Sequence, residues 1–290
     1  MSLIINTNAE ALIAQNNLNN TEGALNSAMT DLSSGLRINT AADDAAGYAI
    51  TEDLTSQVNG LNQANSNAQD ATSLIQTADG ALNDVEQMLQ RVRELAVEYQ
   101  GGTLDSTDQN AIVSEVQQLA SQIEQIGNQA QFNGISLFAP TGNNNGTGNL
   151  TFQVGANDNE VISIKLQALV GSNGVISLVD TITSGIGKAG SSTSLSLGAN
   201  GVLATLSTMI DAVSTLASAF GAVQNRLSYT MDNLSTYSEN LDSAQSTIQD
   251  VDMASEMTEF TKDQILEQSG ISMLSQAEQN PQQVLKLLGA

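Results

Sequence analysis

Val213, Phe220, Leu227, Leu234, Leu241 and Ile248 follow one another at intervals of seven, and Leu216, Val223, Thr230, Tyr237 and Ala244 alternate with them. A period of about 3.5 residues lies close to the helical repeat and far from the two-residue repeat of a strand. A chain patterned in this way buries a narrow apolar stripe of one long helix against another. The same spacing recurs in Leu74, Ala81, Met88 and Leu95, interleaved with Ala78, Val85, Val92 and Tyr99. Ile112, Val116, Leu119, Ile123, Ile126 and Ala130 repeat it in a third segment. A single helix over 202–249 would be roughly 70 Å long at about 1.5 Å per residue, which predicts a rod rather than a globule.

The two ends carry softer versions of the pattern. Ala11, Leu18, Leu25 and Leu32 recur every seven residues with Ala14 and Ala28 between them, but eight Asn fall in the first forty positions and Asn is a poor helix former. Near the other end Met253, Met257, Phe260, Ile265, Leu266, Met273 and Leu274 form a second apolar face, which Asn280-Pro281 is expected to interrupt before "VLKLL". Neither face can bury much alone, so both ends are expected to fold only against a partner. Between the helices, residues from about 133 to 201 are rich in Gly, Asn, Ser and Thr. Turn signals at Asn133-Gly134 and "TGNNNGTGN" separate the β-prone runs "LTFQV", "VISIKL" and "VISLV". The pattern predicts a mainly α fold: long antiparallel helices packed as a coiled coil or helical bundle rod, with a small β-hairpin region in the middle.

The side-chain inventory removes most chemistry. With neither His nor Cys, the chain can build no Ser-His-Asp triad, no thiol nucleophile, no His- or thiolate-ligated zinc site and no disulfide framework. Residues 1–140 hold 17 acids and 3 bases, residues 141–201 hold 3 and 2, and residues 202–290 hold 11 and 3. No stretch is basic, which argues against nucleic acid and against anionic membrane as partners. The start "MSLIINTNAEALIAQ" has no basic and then apolar run of the secretory kind, and no window of about 20 apolar residues predicts a membrane span.

Three short motifs invite sharper readings. "GIGKAG", Gly185 to Gly190, matches a dinucleotide-binding fingerprint. The fingerprint requires a helix to open on the glycines, whereas "SSTSLSLGANG" follows, so the motif reads as a loop and no cofactor is expected. Asp43 and Asp44 could pair as catalytic acids or metal ligands. Neighbouring positions point to different sides of a helix, however, and acids ahead of an Ala-rich run read as a helix start. No catalytic or metal residue is assigned.

"QRVRELAV", residues 90–97, uses two of the eight bases in a chain of net charge −23. Arg91 and Arg93 lie about 200° apart around a helix and cannot clamp one anion. Arg91 borders the apolar seam with Glu94 three residues on, whereas Arg93 points outward. Two readings stand open: weak surface pairing within the helix, or a contact that joins neighbouring copies of an acidic chain.

"INTNAEALIAQNNLNNTEGALNSAMTDLSSGLRINTAADDAAGYAI", "ALNDVEQMLQRVRELAV", "AQFNGISLF", "FQVGANDNE" and the segment from "AVQNRLSYTMDNLSTYSENLDSAQSTIQDVDMASEM" to "NPQQVLKLL" together resemble bacterial flagellins. The resemblance covers both ends and roughly four-fifths of the chain. It implies a non-enzymatic structural subunit that polymerises into the flagellar filament for swimming motility. Such a subunit is exported by the flagellar type III pathway and is secreted and extracellular. It implies an inner coiled-coil domain made of residues 1–44 and 250–290, which drives polymerisation, and an outer rod domain of residues 45–249 with hairpins at about 133–201. Inserted outer domains of the family are missing. Self-association would then use Leu18, Leu25, Leu32, Met257, Phe260, Leu266 and Leu274. The resemblance further implies a cap protein, hook–filament junction proteins and an export chaperone as partners. It also implies that Gln90, Arg91, Arg93, Glu94, Leu95 and Glu115 form a segment that packs against neighbouring subunits and is read by a host Toll-like receptor 5. A junction protein, which shares the terminal architecture, is the alternative.

Overall fold

A computed structural model describes residues 8–138, 149–165 and 201–288. The expected "VISLV" strand, the "TGNNNGTGN" turn up to residue 148 and "GIGKAG" lie outside the described residues. Among the described residues the elements are α1 (Ala9–Ser34), α2 (Ala45–Tyr99), α3 (Ser106–Gln129), β1 (Gln131–Phe132), β2 (Ile135–Ser136), β3 (Asn149–Gln153), β4 (Val161–Lys165), α4 (Val202–Gln249) and α5 (Met253–Leu288). The protein is mainly α, as the heptads predict.

The helix ends follow from local chemistry. The Asn8 side chain accepts from the Ala11 N–H and starts α1, and Gly35, in the left-handed region at φ 74°, stops it by donating to the Asp31 carbonyl. The Asp44 carboxylate accepts from the Ala46 N–H at the start of α2. Asp43 instead accepts from the Asn39 and Thr40 N–H groups and the Thr40 hydroxyl, closing the turn before it. Those donors, Thr40 first, hold the Asp43 carboxyl below its usual range. The two adjacent acids therefore have separate structural jobs. Asp105 caps α3 by accepting from Thr107 and Asp108. At Asn133-Gly134 both residues have positive φ, 48° and 78°, the geometry a two-residue hairpin turn needs between β1 and β2. β3 and β4 pair antiparallel from Asn149↔Lys165 to Gln153↔Val161.

The chain forms two compact units. One comprises the described residues up to Val58 together with those from Glu239 onward, and the other runs from Asn59 to Ser238. In the second unit a single core unites buried residues of α2, α3, the hairpins and α4. The α4 seam follows the predicted spacing through Val213, Leu216, Phe220, Val223, Leu227 and Leu234 and begins earlier, at Val202, Leu206 and Met209. It does not continue as expected: Thr230, Leu241 and Ile248 are only half-buried, and Tyr237 and Ala244 are exposed. α4 also contains an 18-residue window of mean hydropathy 1.4, enough by composition for a membrane-crossing helix, contrary to the expectation that none exists. Only 28% of that window is buried, so the core accounts for part of its hydropathy.

The α2 seam is displaced from the expected one. Ala68, Ile75, Leu82, Leu89 and Ala96 are the most deeply buried column, beside Ala71, Ala78, Val85 and Val92. Of the eight expected residues, Leu74, Ala78, Val85, Val92 and Leu95 are buried, whereas Ala81, Met88 and Tyr99 are only partly so. The stripe is three columns wide because residues of both α3 and α4 share its core, and a helix with two neighbours needs a broader face than a two-helix seam.

In the first unit α1 and α5 run antiparallel. Leu36 bridges Asp250, Val251 donates to the Gly35 carbonyl, and Arg37 donates to the Gln249 and Ile248 carbonyls. Further along, Gly270 faces Leu18 so closely that an added Cβ would lie 3.3 Å from Leu18 Cδ1. The terminal faces thus meet each other within one copy. Helix α5 continues through Pro281, contrary to the expected break. Proline removes one donor and crowds the preceding turn, so the carbonyl four residues earlier needs another partner.

Candidate assembly surface

The α1–α5 pair leaves much of its apolar surface uncovered. Leu18, Leu25, Leu32, Phe260 and Leu274 are half-buried, and only Ala28 is fully buried on α1. Met257 and Leu266, expected on the same seam, are exposed at 49% and 48%. Ile13, Ile265, Ile271 and Met273 are exposed to a similar or greater degree. A cleft of about 530 Å³ runs between the helices, lined by Ile13, Leu18, Leu266, Gly270 and Met273 among others. A second hollow of about 620 Å³ on α5 is lined by Met257, Thr261, Lys262, Ile265 and Leu266. Contiguous apolar surface of this kind marks an interaction site more often than a solvated face.

Charge on this pair is also arranged. Lys262 holds Glu259 at 2.6 Å and lies 3.9 Å from Asp263, whose side chain is almost fully buried. Glu256, half-buried on α5, has its pKa raised above the usual 4.5, first by burial and then by the carboxylates of Asp31, Glu259 and Asp263. A carboxyl whose folded pKa is raised stabilises the fold fully below its unfolded value, and that contribution is lost as pH rises through the folded one. Glu256→Gln should therefore stabilise the α1–α5 pair at neutral pH and make no difference under mildly acidic conditions. Thermal melts followed by circular dichroism from about pH 4 to about pH 7 would check this. A wild-type minus variant difference that stays flat over that range would remove the acidic cluster from the account.

On the second unit, Arg91 sits between two helices. Its Nε donates to Glu115 Oε1 on α3 at 3.0 Å, Nη2 lies 3.0 Å from the same oxygen, and Nη1 donates to Glu94 Oε2 at 3.2 Å. These hydrogen bonds, Glu115's first, raise the Arg91 pKa. All three side chains keep roughly half or more of their surface exposed. Gln90 and Arg93 are exposed, Gln90 donates to Glu86, and Leu95 is buried in the core at 2% exposure. Of the six residues singled out in this segment, Arg91, Glu94 and Glu115 therefore form one polar cluster. Gln90 and Arg93 are exposed elsewhere around α2, and Leu95 is buried beneath.

Sequence reasoning from the residues did not find the joint around Leu36 and Asp250 or the part played by Asn8. The available signals were Gly35 as a helix stop and Asn8 as a helix start, neither of which names a partner more than 200 residues away.

Residues 5–143 match the bacterial flagellin N-terminal helical region, and residues 203–288 match the bacterial flagellin C-terminal helical region. The chain is 43% identical over 286 residues to a flagellin of Halalkalibacterium halodurans, covering 99% of this chain and 100% of that one. It is 42% identical over 301 residues to a flagellin of Bacillus subtilis, covering 98% and 99%. It is 40% identical over 295 residues to the flagellar filament 33 kDa core protein of Treponema phagedenis, covering 99% and 100%.

Proposed function

The chain belongs to the bacterial flagellin family, and we propose that its α1–α5 pair is the joint through which each copy enters the polymer. It is a structural subunit of the flagellar filament in motility, not an enzyme. The alternative, a hook–filament junction protein, finds no support among these relatives.

The observation that carries the proposal is the apolar surface left open on α1 and α5, around Ile13, Met257, Leu266 and Met273. In this reading residues 1–44 and 250–290 drive polymerisation and residues 45–249 form the outer part of each subunit. The reading is supported by the helix ends at Ser34 and Gln249 and by the Leu36–Asp250 bridge between the two connecting segments. An export chaperone would cover the same apolar faces before assembly. Junction proteins would meet them at the filament base and a cap protein at its growing tip, outside the cell. The segment of Gln90, Arg91, Arg93, Glu94, Leu95 and Glu115, centred on the Arg91–Glu94–Glu115 cluster, is a lateral contact between subunits. It is also the surface a host Toll-like receptor 5 would read.

Seeded growth tests the lateral contact. Arg91→Ala leaves Glu94 and Glu115 uncompensated in a chain of net charge −23. The critical concentration should rise by roughly two- to fivefold at low salt and converge on wild type at high salt, where screening shortens to about 10 Å or less. Arg91→Lys should recover only part of the loss, because a point charge cannot span two carboxylates as the guanidinium fork does. Thermal melts of dilute protein separate the two open readings. If Arg91→Ala lowers the melting point while leaving growth unchanged at every salt concentration, Arg91 merely ties α2 to α3.

A further inference from the structure

Ala277, Pro281 and Asn8 form one unit. Pro281 has no N–H, so the Ala277 carbonyl four residues earlier loses the donor that any other residue would supply. Helix α5 nevertheless continues to Leu288. The Asn8 Nδ2 donates to the Ala277 carbonyl at 2.8 Å, while Asn8 Oδ1 accepts from the Ala11 N–H at 3.2 Å. A single amide thus caps α1 and fills the gap that proline leaves in α5. Asp and Ser cap helices as well as Asn does, but Asp has no donor to give.

The position of this contact gives it a consequence. Three contacts mark the register along the α1–α5 pair: Leu36 with Asp250 in the segments just outside the two helices, Leu18 with Gly270, and Asn8 with Ala277. The first is a backbone bridge at one end. The second is an apolar contact on a seam of half-buried Ala and Leu, and such a seam specifies register poorly. A polar contact that is satisfied in a single alignment is how helical pairs fix register. We propose that Asn8 is a positioning residue for assembly, set by Pro281. It locks the register of α1 against α5 at the end far from the Leu36 bridge, and so fixes how Ile13, Leu266 and Met273 are presented to the next copy. The proposal rests on the reading that the α1–α5 pair is the joint.

The test is a double-mutant cycle in the full-length chain: wild type, Asn8→Asp, Pro281→Ala and both together. Register is read from an introduced disulfide. The chain has no Cys, and a Cβ at Gly270 lies 3.9 Å from Leu18 Cβ, close to the roughly 3.8 Å of a disulfide. Leu18→Cys/Gly270→Cys should therefore cross-link within one chain when dilute protein is oxidised, and non-reducing gels separate this product from links between chains. Asn8→Asp should lower the ratio of linked to unlinked chain about two- to tenfold, the range one hydrogen bond covers. In parallel chains without the cysteines it should raise the critical concentration for seeded growth. Pro281→Ala restores an N–H to the Ala277 carbonyl, so in that background Asn8→Asp should change neither readout. If Asn8 served only as a cap, Asp would do as well or better at a helix N-terminus, and both readouts would stay level in both backgrounds. An equal loss in the two backgrounds would also overturn the proposal, since Pro281 would then have no part. A loss of linking confined to the Pro281 background with growth unchanged would retain the lock but refute its role in assembly, and with it the α1–α5 joint.

Discussion

Removing residues 271–290 should yield a soluble chain whose second unit is intact but which never adds to a filament seed. The truncation takes away Ile271 and Met273, exposed at 51% and 65%, the half-buried Leu274 and the Ala277 partner of Asn8. α1 would then keep its partner only near the Leu36–Asp250 bridge and Leu18. A helix of 26 residues with so thin an apolar face has little to hold its first half once the partner beyond Gly270 is gone. None of the deleted side chains that the structure describes, residues 271–279, belongs to the core built on α2, α3 and α4, so the main thermal transition should stay within a few degrees of wild type, the scale of a change of about 1 kcal/mol. Electron microscopy after seeding reads the first expectation and calorimetry the second. Filaments of normal length from the truncated chain would refute the assignment of the joint.

The second large effect lies in the other unit. Phe220 is fully buried on α4, and it is one of only five Phe in a chain with no Trp. Its ring belongs to the core shared by α2, α3, the hairpins and α4, whose side chains cannot expand to replace it. Phe220→Ala should cost about 3–5 kcal/mol, combining lost transfer free energy with the cavity left behind. Phe220→Leu, which retains most of the volume, should cost markedly less. Urea titrations followed by far-ultraviolet circular dichroism measure both. An alanine variant within about 1 kcal/mol of wild type would show that the core collapses around the gap, and that the packing of α4 against its neighbours is far looser than its burial indicates.

The contrast between these units bears on how polymer and monomer share one sequence. Second-unit residues such as Ile75, Leu82, Met209 and Leu227 are buried within a single copy. The first unit keeps Met257, Ile265 and Leu266 open after α1 and α5 have met. A surface so exposed in one copy can be covered by the next.

The sequence by itself determined the helices, their approximate ends and the face of α4, because a period near 3.5 maintained from Val213 to Leu234 can be satisfied in only one way. It also excluded thiol and imidazole chemistry, since the side chains are absent. It placed the Asn133-Gly134 turn, because both residues tolerate positive φ. Tertiary structure alone decided where the α2 stripe is centred. Leu74 and Ile75 are equally apolar neighbours, and only the presence of α3 and α4 in one core makes the face wide enough to take both. It decided that Arg91 reaches Glu115 as well as Glu94, since a partner 24 residues away depends on how α3 returns alongside α2. It also decided that Pro281 does not end α5. Local propensity is a sum over neighbours in sequence, and the donor that satisfies the Ala277 carbonyl comes from Asn8, 269 residues earlier, where no local rule could place it.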